Sequence, residues 1–132
     1  MKQAPLETEE DLQLVKEYML LPVLLDVLER DIRILGAAGL RMDAIYEQVL
    51  RRAQDRIIAD VALFRKHLRE RGIKVYVQQR TKLSLDARYL CRGYHHNFSM
   101  LWSLVKAELD RKLSLYLRID FKGSKRQESG PS

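Results

Sequence analysis

Cysteine is nearly absent: Cys91 is the one thiol in 132 residues, so no intrachain disulfide can form. That favours a reducing compartment, and a cytoplasmic protein is expected. Proline occurs three times and glycine six times, too seldom for a chain whose body is disordered. The glycines, at 36, 39, 72, 93, 123 and 130, do not fall in the G-x-x-x-x-G-K or G-x-G-x-x-G spacings that let backbone amides cradle phosphates. No G-x-S-x-G nucleophile elbow occurs either. These absences leave no motif support for nucleotide hydrolysis or for an esterase. Long apolar runs are also missing. The most apolar stretch, Tyr18 to Leu28, is about half the length of a membrane span and is interrupted by Asp26. Met1 to Asp11 is polar and acidic, without the basic start and apolar centre of a signal peptide. No membrane association is expected.

What is present describes an ordinary globular domain. Hydrophobic residues make up 46% and charged residues 32%, and a single domain of this length can bury a core without a metal or disulfide. The net charge of +6 is unevenly spread. Residues 1–40 hold four basic and eight acidic residues, whereas residues 65–93 hold nine basic and two acidic. Positive charge is therefore centred on the middle of the chain, where it serves either to bind a polyanion or to neutralise the acidic first helix, within one chain or across a dimer.

The periodicity is mostly helical. Thr8-Glu9-Glu10-Asp11 resembles a capping box with an acidic first turn. Leu12, Val15, Met19 and Leu20 then recur at helical spacing. Pro22 lacks an N–H and predicts a kink or restart, followed by Val23, Leu24, Val27, Leu28, Ile32 and Leu35. Gly36-Ala37-Ala38-Gly39 marks the stop. From Arg41 to Arg71 apolar residues recur at steps of one, three or four without a Pro or Gly, and Gly72 ends the run. A helix that long either runs the length of an elongated bundle or projects and pairs with a second copy. Ile73 to Gln78 alternates like a half-buried strand. Residues 79–86 read as a turn or loop, and Arg88 to Tyr94 as a returning strand, with a short loop leading straight into a helix as the competing reading. Asn97 or Ser99 is expected to cap the last helix, with Phe98, Leu101, Trp102, Val105, Leu109, Leu113 and Tyr116 as its apolar stripe and Glu108–Lys112 as a surface pair.

The expected fold is thus mainly α: an elongated bundle of three to four helices with a small β-hairpin-like insert before the last helix. Residues 1–7 form a flexible leader, 8–121 the single domain, and 122–132 a disordered basic and polar tail. The expected core is Leu24, Leu28, Ile32, Leu50, Ile57, Val61, Phe64, Leu101, Trp102, Val105 and Leu109.

Chemistry is sparse. His67, His95 and His96 with Cys91 make a poor metal set, because adjacent His95 and His96 point in different directions. A Cys91–His95 nucleophile pair needs a turn at Gly93 to bring the two together. Asp26, which interrupts the most apolar stretch, is expected to be buried against an arginine in a structural role. No catalytic residue, metal or cofactor is assigned. The basic segment carries the most distinctive pattern: Arg65, Lys66, Arg69, Arg71, Lys74, Arg80, Lys82, Arg88 and Arg92, interleaved with Tyr76, Tyr89 and Tyr94. Cations neutralise phosphates and exposed rings stack on bases. A hairpin tipped by Arg80 and Lys82 resembles in outline the wing of a winged-helix domain, but the uninterrupted 41–71 helix leaves no helix-turn-helix beside it. The reading that follows is a non-enzymatic helical interaction or regulatory protein of unknown process, a homodimer that binds a protein partner or organises a complex. The alternative is a nucleic-acid-binding protein using residues 65–93, and the third is an enzyme or metal protein.

Overall fold

The computed structural model describes residues 7–122, so all but the inner ends of the expected leader and tail lie outside the described residues. A long helix, α1 (Glu9–Ala37), turns back at Ala38–Met42 into a second, α2 (Asp43–Glu70). Three strands follow, β1 (Ile73–Arg80), β2 (Ser84–Cys91) and β3 (Tyr94–Leu101), and helix α3 (Trp102–Leu117) closes the order. The strands form an antiparallel meander in the order β1-β2-β3.

This corrects the expected helical bundle. Of the described residues 63% are helical and 21% lie in strands, so the sheet is a full layer and not a small insert. The discrepancy sits at Tyr94–Leu101, expected to lead into the last helix but forming β3 instead. Phe98 and Met100 lie on the core-facing side, opposite Ala87 and Leu85 of β2, and period-2 burial wins over the helix-cap potential of Asn97 and Ser99. The turn that makes this possible is Arg92-Gly93, whose φ angles of 48° and 92° are both positive, as a two-residue hairpin loop of the I′ kind requires. The loop expected over 79–86 shrinks to Thr81–Leu83. There the Thr81 hydroxyl accepts from the Leu83 and Ser84 amides, and the Trp102 indole donates to the Thr81 carbonyl at 2.8 Å.

The helices keep the predicted ends more closely. Thr8 caps α1, its hydroxyl accepting from the Asp11 amide while the Asp11 carboxylate accepts from the Thr8 amide. Pro22 does not restart the helix. Its neighbours Met19, Leu20, Leu21, Val23 and Leu24 are all buried, and that packing outweighs the roughly 3 kcal/mol a mid-helix proline costs. Helix α2 ends where Gly72 adopts φ +72°, and a Cβ there would meet the Arg92 side chain at 3.2 Å.

The core lies between the helices and the inner face of the sheet. Leu85, Ala87, Tyr89 and Cys91 of the central strand pack toward Val15, Leu20, Leu24, Leu28 and Ile57. Of the expected core, Leu24, Leu28, Ile32, Ile57, Val105 and Leu109 are buried, while Leu50, Val61, Phe64 and Trp102 are partly covered. Leu101 is 56% exposed, because β3 extends to it and its outward register faces solvent. The Glu108–Lys112 pair is replaced: buried Lys112 reaches Glu17, and Glu108 takes Lys16 and Arg111.

Helix α1, with 29 residues, is about 43 Å long. Helix α3, with 16, is about 24 Å, and eight-residue strands span about 27 Å. The sheet and α3 therefore cannot cover the whole hairpin, and no α2 residue before Ala53 is fully buried. Leu85→Ala should cost about 2–5 kcal/mol in denaturant unfolding, while Leu101→Ala should stay within about 0.5 kcal/mol. Equal losses would contradict this register.

Candidate functional site

One acidic side chain organises the end of the molecule where the basic segment begins. Asp11 has no solvent exposure. Its Oδ1 accepts from Arg71 Nη1 at 2.6 Å and its Oδ2 from Arg92 Nη2 at 2.6 Å. The Cys91 thiol lies 3.8 Å from Oδ2. Burial alone would raise the Asp11 carboxyl. Hydrogen bonds from Arg92, the Thr8 amide and Arg71 more than offset that and hold it well below the usual carboxylate range. Arg71 also reaches Glu10, and Arg92 Nη1 donates to the Arg71 carbonyl at 3.0 Å.

A second polar group adjoins it. Buried Tyr89 donates its hydroxyl to Glu7, and its ring stacks on His96 with centroids 5.4 Å apart. His96 Nδ1 is 3.5 Å from the same Glu7. Burial and the Glu7 carboxylate push the Tyr89 phenol upward, and burial pushes the Cys91 thiol upward too. Cys91 faces the core, whereas His95 faces outward and bonds Tyr76 through Nδ1 at 2.9 Å, so the two do not form a nucleophile pair. Among the described residues no group of three or more His, Cys, Asp or Glu is arranged to hold a metal.

The structure divides the predicted basic segment three ways. Arg71, Arg80 and Arg92 bind carboxylates: Arg80 takes Asp26 at 2.6 Å, at the surface rather than in the core. Tyr89 is buried and presents no ring to a ligand. Lys82 stands exposed at the β1–β2 turn, Arg88 on the open face of the sheet, Tyr76 beside His95, and Tyr94 just past the β2–β3 turn. Arg65, Lys66 and Arg69 lie exposed on the last turns of α2, and Lys74 on β1. Arg65, Arg69 and Lys74 converge on a cleft of about 330 Å³, floored by Leu68 and Ile73 and walled by Tyr18.

The Arg65 guanidinium sits 5.9 Å from the centroid of the Tyr18 ring. No carboxylate lines this cleft. Reading the sequence missed Tyr18, 47 residues from Arg65 and placed by the α1–α2 packing, and no local spacing marks it. It also missed Asp11 as an anchor, since the capping box accounts for that residue without reference to Arg71 or Arg92.

The fold and its polar groups thus define a small α+β domain, helices packed on an antiparallel sheet, with a cationic cleft at one end. A protein-family model described as YhjD protein matches residues 6–121, and the chain belongs to that family. No curated protein and no solved structure matches it.

Because the Asp11 carboxyl is held down in the folded state, the unfolded chain takes up its proton first as the pH falls. The stabilisation is full above about pH 4 and is lost progressively below it. Asp11→Asn should lower stability at neutral pH by about 1–3 kcal/mol, because it removes the buried acceptor that Arg71 and Arg92 share, while Arg71 keeps Glu10. Its urea midpoints should also show a weaker acid dependence between about pH 4 and 2 than the parent's.

Proposed function

We propose that this protein is a non-enzymatic interaction or regulatory protein that works as a homodimer through its projecting helical hairpin. One observation carries the reading. Met42, Ile45, Tyr46 and Val49 lie at i, i+3, i+4 and i+7 along the start of α2, and each is between 46% and 54% exposed. They continue the stripe that becomes core at Ala53 and Ile57. Ile34 and Leu40 of the same hairpin end are exposed as well. A two-helix layer with an open apolar stripe is half of a four-helix bundle, and a second copy completes it. Charges of both signs flank the stripe. Arg30, Arg33 and Arg41, with Asp31 and Asp43, form no ion pair among the described residues, so a two-fold copy can pair them. The shared surface then presents the remaining faces to a protein partner.

The cytoplasmic location belongs to this reading and is supported by the single, buried thiol Cys91. Among the described residues no helix is long and apolar enough to cross a membrane.

A second reading, nucleic-acid binding, is supported by six cations that form no ion pair among the described residues: Arg65, Lys66, Arg69, Lys74, Lys82 and Arg88. It requires that affinity for short duplex or single-stranded nucleic acid fall steeply with added salt and weaken when Lys66, Lys82 and Arg88 are changed to Ala.

Light scattering on the purified chain should give twice the 15.5 kDa chain mass. Ile45→Glu with Val49→Glu should halve the measured mass while leaving the melting temperature of the monomer fold in place. A parent that stays monomeric at high concentration removes the dimer.

A further inference from the structure

At two of the other polar clefts the cations already have acids, and the cleft beside Arg88 carries Asp86 on its wall. Beside Glu10 and Glu70, Arg71 is bound to Glu10 and Asp11. Beside Asp60 and Tyr116, Lys112 is bound to Glu17 and Arg111 to Glu108 at 2.5 Å. The Tyr18 cleft differs: Arg65, Arg69 and Lys74 line it with no ion pair among the described residues and no acid on its walls. Three positive charges held together without an anion repel one another, and the arrangement is relieved by a ligand carrying concentrated negative charge.

The geometry narrows that ligand. Arg65 and Arg69 are one helical turn apart, with Cβ atoms about 5–6 Å from each other, so their planar forks can close on neighbouring oxygens of a single group. Lys74 approaches from β1, on the other side of the α2–β1 junction at Gly72. Arg65 is steadied over the Tyr18 ring, which lowers the cost of fixing it on a ligand. Leu68 and Ile73 are 4% and 5% exposed and make a dry floor that strengthens charge pairing above it.

The cations converge on one local cleft, whereas a nucleic-acid backbone needs a track. Lys82 lies in the turn beyond the end of β1, whose span from Lys74 to Arg80 is roughly 20 Å, and Arg80 is spent on Asp26. We infer that the Tyr18–Arg65–Arg69–Lys74 cleft binds a phosphomonoester dianion, with its organic portion lying along the Tyr18 ring. The site lies toward the open end of the α1–α2 hairpin, away from the Met42–Val49 stripe at its turn, so a monomeric variant retains it.

The test is an NMR titration of the full chain with inorganic phosphate, with phenyl phosphate, and with a single-stranded oligonucleotide lacking terminal phosphates. Both phosphates should give saturable shifts centred on Tyr18, Arg65, Arg69 and residues 73–75. Affinity should rise between about pH 5.5 and 7.5 as the ester takes its second charge, whose pKa is about 6. Phenyl phosphate should bind more tightly than inorganic phosphate. The double variant Arg65→Ala, Arg69→Ala should bind at least about tenfold more weakly with an unchanged melting temperature, since both side chains are exposed. Lys82→Ala with Arg88→Ala should bind like the parent. No saturation by about 10 mM phosphate, or equal losses in the two double variants, would overturn the site. An oligonucleotide that displaced phenyl phosphate from the cleft with higher affinity would also overturn the monoester assignment and favour backbone recognition.

Discussion

The buried carboxylate of Asp11 ties together three parts of the chain that are far apart in sequence. It sits in the first turn of α1, receives Arg71 from the C-cap of α2, and receives Arg92 from the β2–β3 turn. A carboxylate taken wholly out of water is costly unless its lone pairs are filled, and here two guanidinium groups and the Thr8 amide fill them. The geometry then propagates. Arg92 adopts a positive φ, an unfavourable conformation for a side chain with a Cβ, and its guanidinium is anchored on Asp11 and the Arg71 carbonyl. That turn sets the register of β3 on β2. Gly72 suits its place because its φ of +72° disfavours a side chain and an added Cβ would crowd Arg92 at 3.2 Å.

From that anchor the rest of the architecture follows by length. The sheet and α3 reach only part of the way along two helices of 29 and 28 residues. Near the anchor the hairpin is core; at its far end the same apolar periodicity meets solvent. One helical stripe thus folds the domain over one half of its length and presents a surface over the other. The positive segment is divided by similar logic. Cations near an acid are absorbed into the scaffold, and those around Tyr18, with no acid in reach, keep their charge for a ligand.

Much of this was legible in the chain. The capping box at Thr8, the unbroken period from Arg41 and the stop at Gly72 mark helix ends because each is a local arrangement of neighbouring residues. Segment 94–101 was not legible as a strand. Asn97 and Ser99 are good helix caps, Arg-Gly is a weaker hairpin signal than Asn-Gly, and only the partner strand shows that Phe98 and Met100 share a face with Leu85 and Ala87. Leu101 seemed core on a helical count and turns outward on a strand count. Among the candidate site residues, Arg65, Arg69 and Lys74 were within reach of charge counting. Tyr18 was not, because it comes from a different helix.

The sequence by itself determined the long helices, their ends, the scarcity of catalytic motifs and the concentration of positive charge at 65–93, since each rests on residue type and spacing within a few turns of chain. The tertiary structure decided which charges are spent and which are free, because pairing depends on distance across elements and on exclusion of water. Asp11 lies 60 residues from Arg71 and 81 from Arg92. No periodicity connects positions so far apart, and only packing of α1 against α2 and the sheet brings them within 2.6 Å.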